Sequence, residues 1–136
     1  MTNSYIDPSD ISSRIGALQS GMKFNAVSNA AGVTLTAAQM LGGCLDRSGA
    51  VTVSDTTPTA AQLVAALAGA AVGDAKLLKL RNRNTGTLTL LAGAGITLEG
   101  TTTIPTVNTR NYAIRVTNAT PGAEAVTISG IGVMAN

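Results

Sequence analysis

The 136-residue chain has no histidine and no tryptophan, a single cysteine, three aromatic residues (Tyr5, Phe24 and Tyr112) and only 12% charged residues. Each shortage excludes something. Without histidine, Ser-His-Asp and Cys-His nucleophilic relays are unavailable, and a zinc site lacks its usual mixture of nitrogen and sulfur ligands. Cys44 has no partner for an internal disulfide, so nothing points to an oxidising compartment. With no imidazole to activate it, Cys44 is expected to be a buried small apolar side chain rather than a nucleophile. The aromatic shortage removes the platforms on which nucleic-acid bases stack and the walls that line sugar clefts.

Charge is scarce as well, about half of the roughly 25% typical of soluble domains. The net charge is +2, and the basic residues are scattered from Arg14 to Arg115, which gives no footprint for nucleic acid. A small domain ordinarily needs more charge than this to stay dispersed, so other subunits are expected to cover part of the surface. The start "MTNSYIDPSD" has no basic stretch leading into an apolar run and is not expected to be a signal peptide. The longest weakly interrupted apolar stretch, "LVAALAGAAVG" (63–73), falls well short of the ~20 residues that cross a bilayer. The expectation is a soluble protein made in the cytoplasm, with no membrane partner.

What the chain does have is alternation. Val33 and Leu35 flank Thr34, Val51 and Val53 flank Thr52, Leu88 and Leu90 flank Thr89, Ile96 and Leu98 flank Thr97, and Val126 and Ile128 flank Thr127. Side chains of a strand point to opposite faces in turn, so each segment is expected to bury its aliphatic residues and turn threonine outward. Longer strands are expected at "AKLLKLRN" (75–82) and "NYAIRVTN" (111–118), with Tyr112, Ile114 and Val116 on one face. Turn signals at Asn84-Thr85-Gly86, Gly93 to Gly95 and Thr120-Pro121-Gly122 separate them.

The word "TAAQ" occurs twice, at Thr36–Gln39 and Thr59–Gln62. Threonine followed three residues later by glutamine is a capping box, in which each side chain satisfies a backbone N–H at a helix start. The first helix should last barely a turn before Gly42-Gly43. The second should run through "AAQLVAALAG", lay Leu63, Val64 and Leu67 on the sheet, and cap one end of the β domain. Together these signals predict an all-β fold of about eight strands, an antiparallel β-sandwich or barrel, jelly-roll-like, with one short capping helix. Residues 1–23 form an extended N-terminal arm and residues 24–136 the β-sandwich domain. In the arm, Ile11, Ile15, Leu18 and Met22 recur at helical spacing, with Asp7 and Asp10 at the start, while Gly16 and Gly21 weaken the helix. Such an arm needs a surface, either its own domain or a neighbouring subunit.

Candidate chemistry fails at each place it could occur. "LLAGAGITLEG" (90–100) is glycine-rich, but a phosphate loop must open a helix, and here Gly93-Ala94-Gly95 leads into the alternating "ITLEG" without a lysine. A tight hairpin between "TLTLL" and "ITLEG" is expected instead. The acids Asp46, Asp55, Asp74, Glu99 and Glu124 could form a glycosidase pair only by converging in space. Arg81 and Arg83, with Lys79 on the same strand face, make the best local anion site: a solvated hairpin tip, or a contact for an acidic patch on another protein. Asn118-Ala119-Thr120 matches a glycosylation sequon but lacks the secretory route that would give it meaning. No enzyme activity, cofactor, metal or small-molecule substrate is expected.

Three stretches, "GVTLTAAQMLGG", "DTTPTAAQLVAALAGAAVGDAKLLKLRNRNTGTLTLLAGAGITLEGTTT" and "RNYAIRVTNATPGAEAVTISGIG", give residues 32–132 a resemblance to the small head decoration, or cement, proteins of tailed bacteriophages. The resemblance implies a β-sandwich or barrel that assembles as a homotrimer on the outer surface of the head, with the major capsid protein as partner. The expected contacts with the capsid or a neighbouring subunit are Ile11, Ile15, Leu18 and Met22 of the arm, with Arg81 and Arg83. The alternative is a tail or fibre module that recognises a host receptor, which the shortage of Trp and Tyr disfavours.

Overall fold

A computed structural model describes residues 23–135. The arm and its four apolar positions, Ile11, Ile15, Leu18 and Met22, lie outside the described residues. In chain order the elements are β1 (Lys23–Ser28), α1 (Ala37–Leu41), β2 (Gly43–Ser48), β3 (Val53–Thr56), α2 (Ala60–Ala66), β4 (Ala75–Asn82), β5 (Leu88–Leu91), β6 (Ile96–Glu99), β7 (Thr103–Ile104), β8 (Asn108–Asn118) and β9 (Ala125–Ala135). Six strands form one sheet in the order β1-β2-β4-β8-β9-β6, and three form a second in the order β3-β5-β7.

The expected mainly β fold is present, but the expected antiparallel arrangement is corrected. β1/β2, β2/β4, β3/β5 and β6/β9 pair parallel, while β4/β8, β5/β7 and β8/β9 pair antiparallel. Both sheets are therefore mixed, and neither closes on itself. The cause is that successive strands drop into different sheets. β2 and β4 are neighbours in the large sheet, but β3 and α2 lie between them in sequence. The chain returns to the sheet in the direction it left, as a parallel crossover requires.

The same alternation overturns two expected hairpins. β4 and β5 lie in different sheets, and so do β5 and β6. The turns at Asn84-Thr85-Gly86 and at Gly93–Gly95 therefore carry the chain across the core rather than folding a ribbon on itself. The expected turn at Thr120-Pro121-Gly122 does close the β8/β9 hairpin. The Ala123 amide donates to the Thr120 carbonyl at 2.9 Å and Gly122 takes φ 84°, as the third position of a type II turn demands.

Both capping boxes form. The Gln39 amide donates to Thr36 Oγ1 at 3.1 Å while the Thr36 amide donates to Gln39 Oε1 at 2.9 Å, and Thr59 and Gln62 repeat this geometry. The first helix lasts five residues and ends before Gly42, as expected, while α2 stops at Ala66, three residues before Gly69. One cluster of buried side chains joins everything. Leu45, Leu78, Leu80, Tyr112, Ile114, Val116, Val126 and Ile128 of the large sheet meet Val53, Leu88, Leu90 and Ile104 of the small sheet and Met40, Leu41, Ala60 and Leu63 of the helices. Two of the alternating segments depart from expectation. Val51 precedes β3 and is 68% exposed, and Thr34 makes only an isolated bridge to Thr56.

Candidate functional site

The glycine-rich loop is a structural hub. Ala94 carbonyl accepts the Ala60 amide at 2.9 Å, so the loop itself occupies the start of α2 where a phosphate would have to sit. The Gly93 amide donates to Thr57 Oγ1 at 2.8 Å, the Thr57 amide to the Leu91 carbonyl at 2.9 Å, and the Val126 amide to the Gly95 carbonyl at 3.1 Å. Three backbone segments are thereby tied at one point, which requires a close approach: a side chain on Gly93 would place its Cβ 2.6 Å from the Thr57 carbonyl oxygen and 2.7 Å from that of Pro58.

Arg81 and Arg83 are both half-exposed and both turn toward Asp46 of β2, which is buried. Arg83 Nη1 donates to Asp46 Oδ2 at 3.1 Å, and Arg81 Nε lies 3.7 Å from Asp46 Oδ1. A carboxylate of the same chain thus takes the role expected of an acidic patch on another protein. Partly exposed pairs of this kind contribute about 0.2–1 kcal/mol, and they leave part of each guanidinium facing solvent.

The five acids do not pair with one another. Asp46 serves the two arginines, Asp55 accepts from Arg47, and Asp74 accepts from the Ala71 amide. Glu99 accepts from Ser129 Oγ, and Glu124 accepts from the Gly122 amide. Among the described residues no group of three or more His, Cys, Asp or Glu side chains could hold a metal ion, and no helix is long and apolar enough to cross a membrane.

Sequence reasoning missed Arg47, whose guanidinium makes five hydrogen bonds among the described residues. Arg47 is fully buried beside Asp55, with Nε donating to Asp55 Oδ2 at 2.6 Å and Nη2 to Asp55 Oδ1 at 3.2 Å. Nη1 donates to the carbonyls of Asn29 and Ser48, and Nη2 to that of Ala31. All five guanidinium protons have acceptors. Asp55 Oδ1 also accepts the Val33 amide at 3.0 Å, so the pair clamps the 29–33 connection to β2 and β3. The signal was available, because Arg47 and Asp55 stand two residues after Leu45 and Val53, at inward positions of their strands.

Tyr112 is buried on β8, and its hydroxyl has no hydrogen-bond partner. Burial pushes the phenol up to about 12, opposed by the nearby Arg110 charge. The folded state therefore favours the neutral phenol more than the unfolded state does. This contribution is complete below about pH 10, the ordinary value of tyrosine, and is lost as pH rises through about 12. Removing an unsatisfied buried hydroxyl should be neutral or stabilising by up to about 1 kcal/mol at pH 7. Tyr112→Phe should also flatten the alkaline loss of stability, which urea unfolding at pH 7 and pH 11 would read; a large loss at pH 7 would contradict it.

On the outer face of the six-stranded sheet several apolar side chains are exposed. The register sets Phe24, Cys44, Lys79 and Asn111 in one row across β1, β2, β4 and β8, with Leu77 and Ala113 in the adjacent row. Ile131 is the extra residue of a bulge between β8 and β9. Phe24, Leu77 and Ile131 are 65%, 69% and 59% exposed. Cys44 shares this face and is only half-buried, against the expectation of a core position. It lies on the outward side of β2, between Phe24 and Lys79.

No protein-family model, curated protein or solved structure matches the chain.

Proposed function

We propose that the chain is a structural virion protein that decorates and stabilises the head of a tailed phage, binding the outer shell of major capsid protein, with copies assembled as a homotrimer. The observation that carries this proposal is the outer sheet face: a broad β surface on which Phe24, Leu77 and Ile131 stand exposed among small, polar and charged side chains. Such a surface suits association with other protein surfaces. The individually occupied acids and the self-filled glycine loop support a non-catalytic reading of the described residues. The shared core supports taking the two sheets as layers of a sandwich, and the resemblance over residues 32–132 supplies the capsid and the trimer. A protein that binds the assembled shell in preference to free subunits stabilises it by mass action. In this proposal Arg81, Arg83 and the arm residues Ile11, Ile15, Leu18 and Met22 contact the capsid or a neighbouring subunit.

The test is co-sedimentation of the purified chain with mature heads of the encoding phage, prepared without it. Saturable binding is expected. Arg81→Gln with Arg83→Gln should weaken it about tenfold or more; because the change takes both cationic partners from the buried Asp46 carboxylate, the melting temperature of the variant is compared with that of the parent, and binding is read at a temperature where both are folded. Absence of binding, or binding to tail tips alone, would rule the proposal out.

A further inference from the structure

We infer that one loop end of the domain, where Val51 and Val107 stand exposed beside Arg83, is a preformed docking surface for a protein patch that is apolar and bordered by carboxylates. This rests on the capsid reading, to which it adds the surface that meets the shell. The register gathers the loops. β1, β2, β4 and β7 end here, at Ser28, Ser48, Asn82 and Ile104, while β3, β5 and β8 begin here, at Val53, Leu88 and Asn108. Val51 and Val107 are 68% and 60% exposed, and Arg83 is half-exposed.

Two buried asparagines hold these loops from inside. Asn82 Nδ2 donates to the carbonyls of Gly86 and Ile104, both at 2.9 Å, and its Oδ1 accepts the Asn84 amide at 2.9 Å. Asn84 Oδ1 accepts the Ala50 amide at 2.9 Å, and the Asn84 carbonyl accepts from Thr106 Oγ1. The residues just before Val51 and Val107 are thus both fixed to Asn84. The adjoining 29–33 connection is held by Arg47. Loops ordered by the fold itself do not have to be ordered again on binding, which favours affinity.

Val107 adds an independent sign. Among the described residues it is the one non-glycine in the left-handed region, at φ 53°, where a branched Cβ is crowded. Asparagine or glycine would make the same turn without that strain. A strained valine whose side chain faces solvent is accounted for by a surface that it meets.

Charge selects the partner. Of the described acids, Asp46 and Asp55 are nearest, and both are buried and occupied. Asp74 and Glu124 lie at the opposite end, beside Ala75 and Ala125, and Glu99 pairs with Ser129 midway along β9. The side-chain charge left exposed around the loop end is positive, from Arg83, and it favours carboxylates beside the partner's apolar patch.

The test measures head binding and melting of full-length variants. Val51→Ser combined with Val107→Asn should bind heads prepared without the protein at least about tenfold more weakly. Val72→Ser, 66% exposed at the opposite end, should bind as the parent does. Val107→Asn alone should melt about 2–5 °C higher, since asparagine tolerates the left-handed region. Unchanged binding of the double variant beside a binding parent would overturn the inference and leave the capsid reading standing; a parent that does not bind would remove both. Equal weakening by Val72→Ser would overturn it by making the effect a general loss of apolar surface. So would altered sedimentation of the free double variant, which would make a second copy the occupant. A lower melting temperature for Val107→Asn would also overturn it, by showing Val107 packed rather than strained.

Discussion

Replacing Arg47 by methionine should cost about 3–5 kcal/mol, the range found when one member of a buried ion pair is removed and its partner is left without compensation. The loss has two parts. The Asp55 carboxylate, 1% exposed, keeps only the Val33 amide as a donor. The carbonyls of Asn29, Ala31 and Ser48 lose their acceptor role to a side chain and hold the 29–33 connection less firmly. For a domain of this size the change corresponds to a fall of roughly 10–20 °C in Tm. The companion variant Arg47→Met with Asp55→Leu should recover a substantial share, since a well-packed apolar pair removes the stranded charge. Urea titration of the parent, the single variant and the double variant gives the comparison. A single variant within 1 kcal/mol of the parent would show that the clamp contributes little.

The second large effect is expected at Gly93. In Gly93→Val, a Cβ would stand 2.6 and 2.7 Å from two backbone carbonyl oxygens, neither of which can rotate away as a long side chain could. Relief requires the loop to move from the Thr57-Pro58 segment, which breaks the Gly93 to Thr57 bond and pulls the Ala94 carbonyl from the start of α2. Overpacking of this kind costs about 1–3 kcal/mol, and the lost hydrogen bonds add about 1 kcal/mol each. Thermal melting should show the combined loss. A valine at Ala92, exposed in the same loop, should be tolerated. Equal behaviour of the two variants would mean that the loop adapts freely.

What the sequence revealed was whatever is decided within a few residues. The two "TAAQ" words gave both helix starts, because a capping box is satisfied by atoms three residues apart. Thr120-Pro121-Gly122 gave the β8/β9 turn for the same reason, and Tyr112, Ile114 and Val116 fell on the buried face as period two requires. Strand direction was not legible. Alternation marks which face of a segment is buried, but is blind to whether the next strand joins the same sheet, so the Gly93–Gly95 loop looked like a hairpin when it is a crossing. The best anion candidates, Arg81 and Arg83, proved to share Asp46, a residue more than thirty positions earlier that β2/β4 pairing brings alongside. The Arg47–Asp55 pair follows from parity with Leu45 and Val53, but that inward parity competes with the strong preference of isolated charges for the surface. Cys44 was placed inside for its residue type, whereas its strand position turns it outward.

The passage of the chain back and forth between sheets has a kinetic consequence. A fold made of hairpins can form one ribbon at a time, each stable enough to wait for the next. Here β2 and β4 pair across the intervening β3 and α2, and β3 and β5 pair across α2 and β4, so that apart from the β8/β9 hairpin most strand pairs join segments distant in sequence. Early partial structures are thus poorly rewarded, which slows folding toward the millisecond-to-second range of strongly non-local β proteins. The same interleaving ties the two sheets to one shared core, and the domain should come apart in a single cooperative event.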